Sequence, residues 1–390
     1  MRIGILATAD REGGGVFQYT ENLIRALSGI AGNEVFVFKT PAFNADFSSC
    51  NCVVVNIEEQ SNNHLQKLRK LVFTFIPFLR RYITICPGYD KISDYQMDIY
   101  ITPAVSLLFF FMQKSYFLTI HDFQHKYLPH FFSFRERVIR NIVFFVAARN
   151  ASMVVVESSN VANDVVKYLH VRKERISVIQ LPPAVAVEKL VAANDVQCLA
   201  QKYSLPDKFL FYPAQFWHHK NHQRLLRAIA EIKNIYNVRV NLILIGSKKN
   251  AFSDFEQEVA KLDLSSQVTW LGYVDDAEKT ILYKLATALV VPSLFESVSM
   301  PIWEAMLNGC PVICSNVCAL PEQVADAGVL FDPYNVGDMA KAIINVYTND
   351  DKRGSMATKG YERMNVFTLD DSANRWSKLF MSVLRPDDIS

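Results

Sequence analysis

The stretch "ALVVPSLFESVSMPIWEAMLNGCPVICS", residues 288–315, decides the fold class of this chain. It predicts a buried strand, a loop, a helix from about 300 to 308 and a second buried strand. Pro301 fits the first helical turn, where its missing N–H would have no partner anyway, and Gly309 fits the helix end. Both strands are apolar without alternation, which is typical of a parallel sheet that helices cover on both faces.

The same alternation of strand and helix extends outward from this stretch. Further strand-like runs are Ile3 to Ala7, "EVFVFKT", "CVVVNI", "IYITP", "FLTIHD", "MVVVES", "RISVIQLPP", "FLFYPA", "VNLILIG" and "VTWLG". The segment 185–204 has few strand signals and is predicted to connect two domains. We therefore predict an α/β fold with two tandem Rossmann-like doubly wound parallel-sheet domains, residues 1–186 and 187–372, facing each other across a cleft. A helix within 373–390 is predicted to pack back on the first domain.

Composition and the N-terminal sequence predict a folded cytoplasmic protein. Of its 390 residues, 50% are hydrophobic and 21% are charged, which excludes a mainly disordered chain. The net charge of +2 gives no reason to expect a nucleic-acid partner. Seven scattered cysteines do not resemble a disulfide framework, and the start "MRIGILATAD" lacks the apolar core of a signal peptide.

One segment suggests contact with a membrane surface. No apolar run reaches the length that spans a bilayer, but in residues 67–81 basic side chains bracket Phe73, Phe75 and Phe78. This pattern suits a segment at the interface of an anionic membrane, and it fits a core helix with solvated basic ends equally well. Peripheral attachment to the inner face of the cell membrane is thus one of two open interpretations.

Glu296 and Glu304 lie on either side of Pro301 in the opening stretch. Glu296 is in the loop after the strand, and Glu304 is one turn into the helix. Free amides near Ser299 and Met300 at the helix start favour anions. Carboxylates beside such amides suit a ligand with both hydroxyls and phosphates. Spacing alone is equally compatible with a purely structural interpretation, in which Glu296 is a solvated loop residue and Glu304 is a charge in the first turn of the helix.

The stretch resembles the signature of the retaining glycosyltransferases of family 4, which have the two-domain GT-B architecture. The matching residues are Glu296, Glu304, Ala305, Met306, Gly309, Pro311, Val312, Pro321 and Glu322. The resemblance implies that Glu296 binds the donor sugar and Glu304 the ribose, with Ser297, Val298 and Ser299 beside the sugar and Ser299 and Met300 beside the diphosphate. Ser297 and Ser299 replace two glycines of the family, which leaves the backbone conformation there in question.

Lys220 in "FYPAQFWHHKNHQRLLRAI" ends a strand-to-helix loop, where its ammonium can reach a diphosphate. The resemblance assigns Lys220 to the donor diphosphate, and Gln215 stands where the family has an arginine. Gln215 can donate a hydrogen bond but supplies no charge. A solvated lysine at the helix start is the structural alternative. The "HKN" version resembles the mannosyltransferase-like branch of the family.

Two features of the first domain complete the predicted site. His121 ends the strand of "FLTIHD", and the resemblance places it beside the transferred sugar as the catalytic candidate of this domain, with Glu296 and Lys220 in the other. Gly14 and Gly15 lie in the first strand-to-helix turn and are implied in diphosphate binding. His125 and His130 make a metal conceivable, but no Asp-x-Asp pair accompanies them and the resemblance implies a metal-independent enzyme without cofactors.

These features predict a hexosyltransferase with the acceptor on the first domain and the nucleotide sugar on the second. By resemblance, the first expectation is mannose from GDP-mannose, transferred to a glycan or lipid-linked oligosaccharide of a surface polysaccharide such as the lipopolysaccharide O-antigen. Two alternatives stay open: a nucleotide-sugar 2-epimerase of the same architecture, and a catalytically silent nucleotide-sugar-binding protein, which the Gln215, Ser297 and Ser299 departures make conceivable.

Overall fold

The computed structural model describes residues 1–10, 14–57, 92, 94–111, 113–182, 193–365 and 367–383. The chain divides into two compact units. The first consists of Met1–Pro183 together with Thr368–Ser390, and the second is Ala184–Phe367. Each unit contains one parallel sheet with its own hydrophobic core, and each is described separately.

The sheet of the first unit has the strand order β3-β2-β1-β4-β5-β6-β7. Its strands are β1 (Arg2–Ala7), β2 (Glu34–Lys39), β3 (Cys52–Asn56), β4 (Ile99–Thr102), β5 (Tyr116–Thr119), β6 (Met153–Val156) and β7 (Ile176–Val178). All pairings are parallel. Every residue of β4, β5 and β6 is buried, because separate apolar clusters pack on the two faces of the sheet. This explains their continuous apolar sequences.

The sheet of the second unit has the order β10-β9-β8-β11-β12-β13, again with all pairings parallel. Its strands are β8 (Leu210–Pro213), β9 (Leu242–Ile245), β10 (Val268–Trp270), β11 (Ala288–Val291), β12 (Val312–Ser315) and β13 (Gly328–Phe331). The five predicted strands are present. The short strand β13 was not predicted.

Helices connect the strands of both sheets. They are α1 (Gly15–Ser28), α2 (Leu108–Phe111), α3 (Gln124–Tyr127), α4 (Phe134–Asn150), α5 (Ser159–Leu169), α6 (Ala193–Lys202), α7 (His222–Tyr236), α8 (Phe252–Lys261), α9 (Asp276–Leu285), α10 (Met300–Leu307), α11 (Leu320–Val324), α12 (Val336–Tyr347), α13 (Asp350–Asn365) and α14 (Leu369–Val383). Within the described ranges, no helix combines the length and the apolar content needed to cross a bilayer.

The helix of the opening stretch begins at the predicted residue and ends one residue before the predicted end. It is α10, with Pro301 in its first turn, and Gly309 follows its end at a φ of 67°. The left-handed conformation of Gly309 ends the helix two residues before Pro311, so the chain can enter β12 directly.

The last helix belongs to the first unit although it follows the second in sequence. It packs against α1, and Trp376 and Phe380 stack on Phe117 of β5 with ring centroids 6.4 and 5.7 Å apart. Ser372 Oγ also donates to the carbonyl of Gln180 at 2.7 Å. The C-terminal segment therefore completes the core of the sheet with which the chain begins.

Candidate functional site

The strand order of the second sheet determines where a ligand can bind. From β8 the chain adds β9 and β10 on one side of that strand. It then crosses over and adds β11, β12 and β13 on the other side. The neighbours β8 and β11 therefore form the topological switch point, where open α/β sheets bind ligands at the carboxyl ends of their strands. Lys220 follows β8 and Glu296 follows β11. Both predicted residues thus lie at this switch point.

Lys220 and Glu296 form an ion pair. Lys220 Nζ donates to Glu296 Oε1 at 2.6 Å, and the two side chains are 23% and 10% exposed. A charge-assisted contact this short and this shielded is stronger than a solvent-exposed pair. The structure brings together the diphosphate-binding lysine and the sugar-binding carboxylate of the prediction, although they are 76 positions apart in sequence.

Hydrogen bonds between loops hold this pair in place. Asn221, in the left-handed conformation at a φ of 61°, donates through Nδ2 to the carbonyls of Pro292 and Pro333 at 2.9 and 3.0 Å. The Leu294 N–H donates to the carbonyl of His219 at 2.7 Å. Asn tolerates this backbone conformation better than most residues, so the "HKN" sequence has a structural reason here. These bonds tie the loop that carries Lys220 to the loop that carries Glu296.

Glu304 is held by a different helix. Its Oε1 accepts from Lys279 Nζ and its Oε2 accepts from Tyr283 Oη, each at 2.8 Å. Both partners are on α9, four positions apart and so on one helix face. Burial lowers the pKa of Lys279, but the charges and hydrogen bonds of Glu304 and Asp276 together outweigh burial, so the pKa is raised. Each carboxylate oxygen has a second lone pair, so Glu304 can still accept from a ligand hydroxyl.

The start of α10 differs from the prediction in one respect. The Ser299 N–H donates to Gln323 Oε1 at 2.9 Å, and Gln323 Nε2 donates back to the Ser299 carbonyl at 2.7 Å. The Ser299 amide is therefore not a free anion-binding donor, because a side chain of α11 already occupies it. The backbone at the two serines that replace family glycines is ordinary. Neither Ser297 nor Ser299 has a positive φ, so no glycine is required at either position.

Gln215 and its neighbour Gly246 line the ends of β8 and β9. Gln215 Oε1 accepts from Trp217 Nε1 at 2.9 Å, which orients the amide beside an aromatic ring. Gly246 has a φ of 129°, and a Cβ there would lie 2.4 Å from the Ala214 carbonyl oxygen. The two strand ends approach this closely only because position 246 has no side chain.

His121 lies in the first unit at the carboxyl end of β5 and is largely buried. Its Nε2 contacts the Pro103 carbonyl at 2.6 Å and its Nδ1 contacts Glu157 Oε2 at 2.9 Å. The Tyr19 ring packs edge-on against it, with centroids 4.7 Å apart. A carbonyl and an ionised carboxylate can only accept, so this geometry favours the doubly protonated ring, the imidazolium. In this arrangement His121 supplies positive charge and has no free nitrogen to take a proton.

The pKa of His121 agrees with this geometry. Burial lowers it, but the hydrogen bond and charge of Glu157, together with the Pro103 carbonyl and the charge of Asp122, outweigh burial, so the pKa is raised above its ordinary value. Glu157 Oε1 is buried and accepts no hydrogen bond among the described residues.

Gly15 is the first residue of α1, and Gly14 precedes it. Gly14 has a φ of 59°, and a Cβ at either position would meet no described atom within 4 Å. The assignment of these two glycines to a diphosphate stays a prediction.

Several residues of the site were not predicted from sequence. They are Glu157, Lys279, Tyr283, Asn221 and Gln323. Only the four-residue spacing of Lys279 and Tyr283 on an amphipathic helix could have suggested that they act together. Among the described residues, no three His, Cys, Asp or Glu side chains are grouped as metal ligands. The segment 67–81 lies outside the described residues.

Known proteins match most of the chain. A family model described as "Glycosyl transferases group 1" matches residues 199–363, and one described as "Glycosyltransferase Family 4" matches residues 13–182. The O-antigen chain mannosyltransferase B of Escherichia coli is 31% identical over 207 residues, a match that spans 50% of this chain and 54% of that protein. The chain thus aligns with about half the length of this relative. The O-antigen chain mannosyltransferase RfbU of Salmonella typhimurium is 26% identical over 344 residues, spanning 87% of this chain and 89% of that protein.

Solved structures share the fold. Anabaena Alr3699/HepE, crystallised in complex with UDP and glucose, superposes with a TM-score of 0.76 at 19% identity, covering 98% of this chain and 100% of that one. WaaG, described as a glycosyltransferase involved in lipopolysaccharide biosynthesis, superposes with a TM-score of 0.63 at 15% identity, covering 98% and 100%. The predicted α/β fold of the GT-B class, with two Rossmann-like sheets, is confirmed.

Proposed function

Because this chain belongs to glycosyltransferase family 4, we propose that it transfers a hexose from a nucleotide sugar to a glycan or lipid-linked oligosaccharide in surface polysaccharide synthesis. The proposed donor is GDP-mannose, since two relatives are named O-antigen mannosyltransferases. The proposed location is the cytoplasm, at the inner face of the cell membrane, where a lipid-linked acceptor would be available. The second unit binds the donor, and the first binds the acceptor.

The observation that carries this proposal is the Lys220–Glu296 pair at the switch point of the second sheet. A donor sugar nucleotide has a diphosphate between a sugar and a ribose. Lys220 supplies charge for the diphosphate, Glu296 accepts from sugar hydroxyls, and Glu304 accepts from the ribose. The Lys220 ammonium has three hydrogens and donates one of them to Glu296. It can therefore donate another to the donor diphosphate.

The proposed reaction retains the anomeric configuration. The bond between the anomeric carbon and the diphosphate oxygen breaks, and the acceptor hydroxyl oxygen bonds to that carbon on the same face. The electron pair of the broken bond stays on the diphosphate, and the acceptor proton passes to it or to solvent. Lys220 stabilises the departing charge without a metal, while Glu296 and the His121 imidazolium orient the sugar. We assign no nucleophile to the protein.

A panel of nucleotide sugars tests the proposal. Purified full-length protein is offered GDP-mannose, UDP-glucose, UDP-N-acetylglucosamine and NAD, with binding and slow donor hydrolysis measured with and without a chelator. We expect GDP-mannose to bind and to be hydrolysed slowly to mannose of the donor's own anomeric configuration, with no effect of the chelator.

Each rival function predicts another outcome of the same panel. An epimerase would convert the nucleotide sugar with no acceptor present, and a silent binding protein would bind a donor with no turnover even when acceptor is supplied. Binding of NAD alone would point to a dehydrogenase. Any of these three results would contradict the proposed transfer.

A further inference from the structure

Helix α4 of the first unit carries an exposed apolar stripe. Phe134, Val138, Ile142 and Phe145 are 72%, 38%, 58% and 41% exposed. Their spacing of four, four and three positions places them on one face of the helix. At 3.6 residues per turn the stripe is about 80° wide and about 17 Å long. It is a continuous surface and not a set of isolated apolar side chains.

The opposite face of α4 already secures the helix to its unit. It contributes four buried residues, Val143, Phe144, Ala147 and Ala148. The helix also begins with a capping box, in which Ser133 and Glu136 exchange hydrogen bonds between side chain and backbone. Folding therefore does not require the exposed stripe, and a contiguous apolar surface of this kind marks an interaction site.

The charges of α4 are almost all positive. The only acidic residue of the helix is Glu136, whose carboxylate binds the Ser133 amide. Four arginines accompany it, and none forms an ion pair with a carboxylate within the part of the chain that the structure describes: Arg135, Arg137, Arg140 and Arg149. Arg140 packs against Phe132 and Phe144 on the opposite face of the helix, so the positive charge that flanks the stripe comes from the other three arginines.

Two of these arginines lie beside the stripe. The Arg137 guanidinium is 5.8 Å from the centre of the Phe134 ring, and that of Arg149 is 5.3 Å from the centre of the Phe145 ring. A cation packed against an aromatic ring keeps its charge close to an apolar surface. An amphipathic helix that lies in a membrane interface has the same combination of apolar face and flanking cations.

We propose that α4 docks the protein on an anionic lipid bilayer, with Phe134, Val138, Ile142 and Phe145 entering the acyl boundary. Arg135, Arg137 and Arg149 then contact lipid phosphates. Charge favours this occupant over a second copy of the chain, since pairing of two such faces would bring unpaired arginines together. The inference rests on the face of α4 and not on the identity of the sugar donor.

Vesicle binding of the full-length protein tests this surface. Co-sedimentation is measured with vesicles of phosphatidylcholine alone and with vesicles that also contain phosphatidylglycerol. We expect binding only to the anionic vesicles and weaker binding as salt is added. The double variant Phe134→Ser, Ile142→Ser should bind roughly tenfold or more weakly, because two large apolar side chains no longer enter the bilayer. The double variant Arg135→Glu, Arg149→Glu should weaken binding by a similar factor, since each basic residue near the surface contributes to the attraction between protein and anionic lipid.

Ile235→Ser is the matched control, because Ile235 is 65% exposed on α7 of the other unit. It should bind vesicles as the unsubstituted protein does, and thermal unfolding checks that every variant is folded. Failure of the wild-type protein to bind anionic vesicles would overturn the proposal. So would α4 variants that bind as tightly as wild type, since binding would then come from elsewhere, such as 67–81. Concentration-dependent dimers that Ile142→Ser abolishes, without vesicle binding, would assign the stripe to a second copy.

Discussion

The contact between Lys220 and Glu296 joins two charges that the surrounding protein partly shields from water. Removing one partner of a well-shielded pair leaves a charge without compensation, at a cost of about 3 to 5 kcal/mol in fully buried cases. The pair is thus a structural contact as well as a proposed binding site. A variant that loses activity here must also be checked for folding before the loss is assigned to chemistry.

The His121–Glu157 pair predicts a specific pH dependence. The pKa of His121 is raised in the folded protein, so the contribution of the pair to stability is fully present below 6.5, the ordinary histidine value. It is lost as the pH rises through the higher folded-state pKa. In NMR spectra of protein with ring-labelled histidine, we expect His121 to titrate above 6.5 and Glu157→Gln to lower that midpoint.

Unfolding by urea across the same pH range gives the thermodynamic counterpart. The difference in stability between wild type and Glu157→Gln should be largest just on the acid side of the His121 midpoint, where the imidazolium faces an ionised carboxylate, and shrink as the pH rises past that midpoint. A His121 midpoint at or below the ordinary value in the wild-type protein would show that its ring is not held as an imidazolium.

Among the elements, the junction between β8 and β9 depends on one glycine. Gly246→Ala would place a Cβ within 2.4 Å of the Ala214 carbonyl oxygen, at a φ that L-residues rarely adopt. We expect the second unit to lose about 2 to 4 kcal/mol of unfolding free energy, the range of severe backbone and packing defects. Urea denaturation followed by circular dichroism measures the loss.

Gly354→Ala is the control for that substitution. Gly354 lies inside α13, has no positive φ, and a Cβ there would meet no described atom within 4 Å. Alanine should therefore be neutral or stabilise the helix by up to about 1 kcal/mol. Equal stability changes in the two variants would contradict the close approach at Gly246.

The sequence predicts the elements well where physical signals are local. Continuous apolar runs identify the buried strands, and Pro301 and Gly309 set the bounds of α10 because they act on their own backbone. The strand β13 was not predicted because its sequence "GVLF" is short and begins with glycine. The occupied Ser299 amide was missed for a different reason, since its partner Gln323 is 24 positions away and no local pattern specifies that contact.

In the whole molecule, the first unit is built from both ends of the chain. Trp376 is fully buried against Phe117, so residues 1–182 alone would expose part of their core. The sequence indicated such a return of the C-terminal helix, but not its ring contacts. The same limit applies to the site. Resemblance indicated Lys220, Glu296 and Glu304, whereas their partners depend on how distant loops and helices pack.

The most direct test of the central claim is hexose transfer by Glu296→Ala, with folding monitored by circular dichroism and thermal unfolding. Glu278→Ala is the control, because it removes a carboxylate that pairs with Lys202 away from the switch point. We expect Glu296→Ala to keep its fold and lose at least about a hundredfold in transfer rate, since a positioned charge at the reacting sugar is gone. Glu278→Ala should retain transfer. Full activity in folded Glu296→Ala would contradict the account.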